Sequence, residues 1–438
     1  MTGRPPRRHR LALLVLVLGA GLLPAVVASP GRAAVELRVV FTKLPGFSLA
    51  PGERSRVAPA HYTAYRVDLG QAGNVLAKAP ARSAVARGAV PLTFAVPDPA
   101  GRLVRFRVQE DSVMEPGLQA RHPEIHTYAG RGIDDPTRTI RLDVTPMGFH
   151  AAVRSPGGER AWYVDPAYNR RGATTHLSYY GSSVPRPRGL FVERDVNDTA
   201  RALAAAPRTA PNALVQRRSY RLAFVTDPTY AAYFGTANVA AEKVTLVNRV
   251  DQVYNDDLAV RLVLINGTDR LNLDTQAEAT GPNGPCGANG CYAPDELVAC
   301  DGPTLTRNEF VLGQIVGADS YDLGHLGLGV DGGGIAGLGV VGGAAKARGC
   351  TGLPFPKGDI YAIDFVAHEL GHQFGGHHTF NGVDLNCASG NRYGPTSVEP
   401  GSGSSVMAYA GICRQDDLQP HSDPYWSERS FEEITNYV

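Results

Sequence analysis

Three histidines and one glutamate stand close together in the run over residues 368–378, which reads His-Glu-Leu-Gly-His-Gln-Phe-Gly-Gly-His-His. An α-helix turns by about 100° per residue, so His368 and His372 lie one turn apart on the same face and can share a metal ion. Gly375 can take the left-handed backbone conformation that ends a helix, and the returning chain then brings His378 to the same point. The spacing predicts a site for one catalytic zinc ion with three imidazole ligands.

Glu369 lies between the first two predicted ligands and is the candidate general base. Three neutral imidazoles leave one zinc position for water, whose pKa falls to about 7 when zinc binds it. Glu369 is too close along the helix to coordinate the same ion comfortably, so its carboxylate can accept the proton of that water instead. His377 is the alternative third ligand; the three-residue step from Gly375 favours His378, because a regular turn would point His377 about 100° away.

A second signal centres on Met407, 29 residues after His378, where residues 404–409 read Ser-Ser-Val-Met-Ala-Tyr. After a long zinc motif, a methionine in such a turn is typical of a hydrophobic floor below the ligands. Tyr409 follows two residues later and is a second candidate catalytic residue, either as a contact to the metal or as a hydroxyl donor to a developing oxyanion. The alternative is a tyrosine that only packs. We expect the segment after Met407 to form the substrate specificity pocket.

The first residues are basic and lead into an apolar run over residues 11–28, which is broken by glycine and proline. This pattern predicts a secretory signal peptide over residues 1–28, with cleavage after Ala34 as the alternative. A retained membrane anchor fits less well, because the run is barely long enough to span a bilayer and contains helix breakers. We therefore predict a secreted, extracellular protein without a stable membrane anchor.

The six cysteines all lie in the second half of the chain, and an even number in a secreted protein predicts three disulfides. The pair that we expect is Cys387 with Cys413, which would tie the segment after the zinc motif to the loop containing Met407. The formal net charge of +1 gives no electrostatic reason to expect a nucleic-acid partner. Calcium binding is possible, but no Asp-rich loop supports it.

The pattern of apolar residues changes along the chain and predicts two folded domains. Residues 35–194 contain short alternating segments separated by Pro and Gly, which predicts a β-rich domain. Residues 195–218 are rich in Ala, Pro and Arg and end in Arg217-Arg218, so they are interpreted as a linker with a processing site, or as a solvated corner. Residues 219–438 alternate strands and helices, which predicts an α/β domain. Within it, residues 336–341 are predicted as an edge strand above the cleft.

Several segments resemble secreted bacterial zinc metallopeptidases of the reprolysin-like metzincins. The resemblance lies in the zinc motif with the Thr-Phe-Asn-Gly that follows it, and in residues 321–325, 346–352 and 399–413; residues 123–136 are similar to a reprolysin-type propeptide. It implies an α/β metzincin catalytic domain, with a mixed, twisted sheet and a long active-site helix, after a propeptide domain over residues 35–194. It also implies zinc endopeptidase activity on proteins or peptides, with His368, His372 and His378 as ligands and Glu369 as catalyst.

The chain departs from this family at two positions. Thr379 stands where snake-venom-type reprolysins have Asp, and Tyr409 after the methionine is more similar to astacins and serralysins. The N-terminal half has no cysteine that could bind zinc, so we expect the propeptide to inhibit by blocking the cleft, with Asp134 or Asp135 near the metal. Two alternative functions are an inactive metzincin that serves as a binding or adhesion module, and a zinc hydrolase of a non-peptide substrate.

Overall fold

The computed structural model describes Gly3 and residues 40–50, 54–155, 160–185, 216–330 and 333–438. The predicted signal peptide, apart from Gly3, and residues 195–215 of the predicted linker lie outside these residues. Within the described part of the chain, no helix is both long and apolar enough to cross a membrane.

The N-terminal region folds as a β-rich layer, as the alternating pattern predicts. Nine strands form one curled antiparallel sheet in the order β1-β2-β9-β8-β7-β6-β5-β4-β3. The strands are β1 (Phe41–Lys43), β2 (Thr63–Val67), β3 (Leu92–Pro97), β4 (Leu103–Glu110), β5 (His126–Gly132), β6 (Thr139–Thr145), β7 (Gly148–Arg154), β8 (Trp162–Pro166) and β9 (Thr175–Tyr180). Three short helices lie between them: α1 (Leu69–Leu76), α2 (Arg82–Val85) and α3 (Pro116–Arg121).

The C-terminal region has the predicted mixed α/β architecture. Its sheet has the order β11-β10-β12-β14-β13, in which all neighbours are parallel except β13 and β14. The strands are β10 (Arg218–Thr226), β11 (Val260–Leu264), β12 (Leu323–Leu328), β13 (Gly333–Ala336) and β14 (Gly349–Gly352). The antiparallel edge strand is therefore β13, and the prediction of a strand over residues 336–341 is wrong, because those residues turn away after Ala336.

The helices of the C-terminal region pack against this sheet through two apolar cores, the larger of which contains the helix over residues 360–373. They are α4 (Pro228–Phe234), α5 (Val239–Leu258), α6 (Gln276–Ala279), α7 (Gly302–Val316), α8 (His368–Gln373), which continues a π-helical segment over Ile360–Ala367, and α9 (Glu428–Tyr437). One side of α5, with Val239, Leu246, Val250 and Val253, is buried in the larger core.

Helix α5 also joins the two regions, because 16 of its 20 residues are buried. Its polar side chains face the N-terminal sheet, where Thr245 donates to Asp143 at 2.8 Å and Arg141 pairs with Asp251 at 2.5 Å. The N-terminal chain also extends the C-terminal sheet beyond β11, because the Leu264 backbone bonds the chain on both sides of Met114. The two regions therefore share a continuous polar and backbone interface.

Three disulfides fasten the C-terminal region. The predicted bond between Cys387 and Cys413 is present, and the other two join Cys286 to Cys291 and Cys300 to Cys350. The last of these fixes the start of α7 to strand β14. Disulfides of this kind persist in oxidising compartments, which is consistent with an extracellular protein.

Candidate metal centre

The helix that carries the first two histidines has an apolar back and a defined end. Ile363, Ala367, Leu370 and Phe374 are all buried in the core behind it. The π-helical segment before His368 was not predicted. Because the back of the helix is buried, its histidine face is held towards the edge strand β13.

The end of α8 has the geometry of a Schellman motif. The Gly375 N–H donates to the His372 carbonyl at 2.8 Å, and the Gly376 N–H donates to the Gly371 carbonyl at 2.9 Å. Gly375 has a φ of 89°, a conformation that residues with a Cβ rarely adopt. The chain therefore reverses at the residue that the sequence predicts, and His378 returns to the helix.

The Nε2 atoms of His368, His372 and His378 converge on one point. They lie 3.2 Å (His368 to His372), 3.2 Å (His368 to His378) and 3.0 Å (His372 to His378) apart. Among the described residues, these three form the group of His, Cys, Asp or Glu side chains that could hold a metal ion.

The opposite nitrogen of each ring fixes its tautomer. The three Nδ1 atoms lie 2.6, 2.7 and 2.6 Å from backbone carbonyl oxygens, those of Val406 for His368, Gly376 for His372 and Asn391 for His378. A carbonyl oxygen only accepts, so each Nδ1 carries the hydrogen, and in the neutral ring each Nε2 has a lone pair. Three lone pairs at this separation repel one another unless a cation lies between them.

The donor set fits zinc. Imidazole nitrogens bind zinc at about 2.0–2.1 Å, and two such nitrogens on a tetrahedral ion lie about 3.3 Å apart. The observed separations of 3.0–3.2 Å are within a few tenths of an ångström of that value. Histidines that bind zinc usually donate their other ring N–H to a backbone carbonyl, a carboxylate or water, and these three donate to backbone carbonyls.

His377, the alternative third ligand, does not join the histidine cluster and contacts two other side chains. Its Nδ1 lies 2.7 Å from Glu433 Oε1, and its ring stacks on Tyr393 with the ring centroids 3.9 Å apart. His325 is also away from the cluster, since its Nε2 lies 2.8 Å from the Thr351 hydroxyl. Burial lowers the pKa of His325 to about 4, which keeps it neutral in the core.

Glu369 is buried beside the edge strand. A methyl group in place of the Gly334 hydrogen would overlap the Glu369 carboxylate, so the glycine of β13 leaves the space that this carboxylate fills. A pocket of about 20 Å³ opens at the same place, with room for about one water molecule. Its lining residues are Gly334, Asp364, Phe365, His368, Glu369, Ala408, Tyr409, Ala410, Ile412 and Ser422.

The turn after residue 404 lies directly below the histidines. Met407 is fully buried, and a side chain at Gly371 would collide with its sulfur, so the helix and the methionine are in close contact. The Tyr409 ring packs against Phe380, with the centroids 4.4 Å apart, and against His378 at 4.6 Å. Tyr409 therefore contacts the ring of a predicted ligand.

The suggestion that Asp134 or Asp135 lies near the metal is wrong. Asp134 is exposed and pairs with Arg105 at 2.5 Å, within the N-terminal sheet. Asp135 accepts a hydrogen bond of 2.6 Å from the Thr137 hydroxyl, in the same turn. Both carboxylates are therefore bonded within the N-terminal region. Asp134 pairs with Arg105 of strand β4, and Asp135 bonds Thr137, two positions along the chain.

The sequence pattern did not predict that Glu399 belongs to the site. Glu399 is buried, and its carboxylate accepts hydrogen bonds from Thr379 and from the turn before Met407. The available signal was a lone acidic residue in a Gly/Ser-rich segment next to the methionine turn. Nothing in the local pattern shows that this residue folds back onto the residue after His378.

A search of curated proteins found no match to this chain. A sequence model of a known family, the reprolysin-like metallopeptidases of family M12B, matches residues 236–428. The match includes α5, the zinc motif, the methionine turn and the start of α9. With the histidine cluster at its centre, this region of the chain is a reprolysin-like metallopeptidase domain of family M12B, and the protein is a zinc peptidase.

Proposed function

We propose that the protein is a secreted zinc endopeptidase, made as a proenzyme, in which His368, His372 and His378 hold one zinc ion. The observation that carries this proposal is the convergence of three Nε2 lone pairs at 3.0–3.2 Å. Each of these rings donates its Nδ1 hydrogen to a backbone carbonyl, which fixes the orientation of the ligand. A zinc ion held there supplies Lewis acidity to the cleft.

Glu369 is the proposed general base. Its carboxylate is buried next to the first ligand and against Gly334. In this position it can take the proton of the attacking water and return it to the leaving amine. A scaffold without activity has no need of a carboxylate here, which favours the enzyme over the binding module.

Strand β13 is the proposed binding edge for the substrate backbone. It pairs with β14 on one side and ends the sheet on the other. An extended peptide can add to such an edge through main-chain hydrogen bonds. Because Gly334 of this strand contacts Glu369, a peptide bound along β13 would have its backbone beside the general base. This arrangement favours a peptide over a non-peptide substrate.

Tyr409 is proposed as a second catalytic residue that donates its hydroxyl to the developing oxyanion. The support is its position in the pocket beside Glu369 and its ring contact with His378. The residues that follow it, Ala410 and Ile412, line the same pocket and are proposed to select the substrate side chain.

The processing scheme is also proposed. Residues 1–28, or 1–34, would be removed as a signal peptide, and cleavage in the linker over residues 195–218 would separate the propeptide domain, residues 35–194, from the catalytic domain, residues 219–438. The three disulfides support export. Inhibition by the propeptide remains part of this proposal, and full activity of the uncleaved protein would contradict it.

Replacement of Glu369 by alanine tests the reaction. We expect the variant to bind one zinc ion per chain as the parent does, while kcat/KM on an unfolded protein substrate falls by about 10²–10⁴-fold, the usual contribution of a general base. Zinc content and proteolysis are measured on the same preparations. Unchanged proteolysis would reject Glu369 as the base, and a zinc-loaded parent that cleaves no peptide would favour one of the two alternative functions.

A further inference from the structure

Glu399 is a buried carboxylate with four hydrogen-bond donors around it. Oε1 accepts from the Thr379 hydroxyl at 2.7 Å and from the Ser405 hydroxyl. Oε2 accepts from the backbone N–H groups of Ser404, at 2.8 Å, and Ser405, at 3.1 Å. Both oxygens act only as acceptors, which is the role of an ionised carboxylate.

These donors belong to two segments of the zinc site, the one that follows His378 and the turn that contains Met407. Thr379 directly follows the third ligand, His378. Ser405 directly precedes Val406, whose carbonyl accepts the Nδ1 hydrogen of His368. The Glu399 side chain therefore connects the segment that carries one ligand to the segment that orients another.

Backbone hydrogen bonds hold Glu399 in the same place. Its N–H donates to the Thr379 carbonyl at 2.9 Å, and the Asn381 N–H donates to the Glu399 carbonyl at 2.9 Å. On the other side, the Thr379 N–H donates to the Met407 carbonyl at 3.1 Å. The segment after His378 thus lies between the Glu399 segment and the methionine turn, and the carboxylate bridges across it.

We propose that Glu399 is a positioning residue for the zinc site, and that a carboxylate at position 379 would serve the same purpose. The Glu399 carboxylate reaches the third-ligand segment through the Thr379 hydroxyl. The inference rests on the proposed zinc site.

Loss of the carboxylate should weaken metal binding more than it weakens the fold. Glu399→Ala leaves two backbone N–H groups and two hydroxyl groups without their acceptor in a buried place. The turn that accepts the His368 hydrogen then loses its side-chain link to the segment after His378 and keeps the backbone bond from Thr379 to Met407. Changes to groups that orient metal ligands typically lower metal affinity by about 10–100-fold, and we expect a loss in that range.

The test is a set of variants of the full-length protein: Glu399→Ala, Glu399→Gln, Thr379→Asp and the double variant Glu399→Ala with Thr379→Asp. Zinc affinity is measured by competition with a chromophoric chelator, the unfolding temperature by circular dichroism, and kcat/KM with a peptide substrate. We expect Glu399→Gln to lose less zinc affinity than Glu399→Ala, because the amide keeps one acceptor. The double variant should recover at least about a third of the loss on a logarithmic scale, because it restores a carboxylate next to Ser405.

Asp301→Ala is the matched control. Asp301 also accepts from a backbone N–H and a hydroxyl, both of Thr304, but it does so at the start of α7. This variant should lower the unfolding temperature and leave zinc affinity within about twofold of the parent. An equal loss of zinc affinity in Asp301→Ala and Glu399→Ala would overturn the proposal, since the effect would then follow from stability alone.

Three further results would overturn the proposal. Folded Glu399→Ala or Glu399→Gln protein that binds zinc within twofold of the parent would show that Glu399 does not position the site. A double variant no better than Glu399→Ala would reject the exchange of carboxylates between positions 399 and 379. If the parent itself neither binds zinc nor cleaves peptides, the zinc site is rejected and this inference with it.

Discussion

At the scale of single residues, adjacent positions take different roles because their side chains meet different partners. His377 and His378 are neighbours, yet one ring is fixed by Glu433 and Tyr393 and the other joins His368 and His372. The Nδ1 hydrogen bonds complete the distinction, because His378 donates to a backbone carbonyl whereas His377 contacts a carboxylate. A metal ligand is thus recognised by its second nitrogen as well as by its first.

Gly334 should be as important for activity as its neighbour Glu369. Gly334→Ala places a methyl group where the Glu369 carboxylate lies, so the proposed general base must move. We expect kcat/KM to fall by about 100-fold or more while zinc remains bound. Gly313→Ala is the control, because the added methyl group meets no atom within 4 Å in helix α7. Activity measured by peptide cleavage should be unchanged in this control, and equal losses in both variants would contradict the prediction.

At the scale of elements, the zinc site depends on how one helix ends. The apolar back of α8 fixes its rotation, and the Schellman motif at Gly375 fixes the direction of the chain that returns to the metal. Strand β13 and the methionine turn then enclose the histidine face from two sides. The element boundaries therefore determine the geometry of the ligands.

Gly375→Ala tests the helix end. The φ of 89° is unfavourable for a residue with a Cβ, at a cost of about 1–2 kcal/mol, and the turn should relax and shift His378. We expect a lower unfolding temperature together with at least about a tenfold loss of zinc affinity. Gly342→Ala matches the strain, with a φ of 74°, but the added group meets no atom within 4 Å. It should lower stability only; a zinc affinity that falls equally in both variants would show that strain alone is responsible.

At the scale of the whole molecule, the polar face of α5 is fitted to the N-terminal sheet. Arg249 pairs with Asp165, and Arg56 pairs with Glu242 through two hydrogen bonds, with all four side chains buried. Burial by itself would raise the pKa of Asp165, but Arg249, with smaller effects of nearby basic groups, holds the pKa below its usual value. The two regions are thus joined by buried ion pairs, in which each charge is neutralised by a partner from the other region.

Asp165→Ala should destabilise the molecule strongly, because it leaves the Arg249 guanidinium buried without its carboxylate. Breaking such a pair costs about 3–5 kcal/mol. Since the pKa of Asp165 is lower in the folded state, its contribution is present above the unfolded-state pKa of about 4 and is lost as the pH falls through the folded-state pKa. Denaturant unfolding between pH 7 and pH 3 should therefore show a smaller loss of stability on acidification in the variant.

Asp134→Ala is the control for this experiment, because the Asp134 pair with Arg105 is exposed to solvent. Its stability should stay close to that of the parent at every pH. A similar stability for Asp165→Ala and Asp134→Ala would contradict the importance of the buried pair.

The features that the sequence determined by itself are local ones. The spacing of His368 and His372, the apolar back of their helix and the reversal at Gly375 follow from the helical repeat and from the backbone freedom of glycine. The alternation of apolar residues was sufficient for the β-rich layer and the α/β layer in chain order. This alternation was not sufficient to predict the boundary of β13, because a Gly-rich segment has few side chains that could form a pattern.

The tertiary structure decided what depends on residues far apart in the chain. In the structure, His377 bonds Glu433, Asp134 and Asp135 lie outside the histidine cluster, and Cys300 pairs with Cys350. The tertiary structure also brought Glu399 to Thr379, 20 positions earlier in the chain. Such contacts are set by how the layers pack and which buried donors need an acceptor, and no local spacing encodes them. The sequence therefore specified the proposed ligands, whereas the packed fold specified the groups that hold them in position.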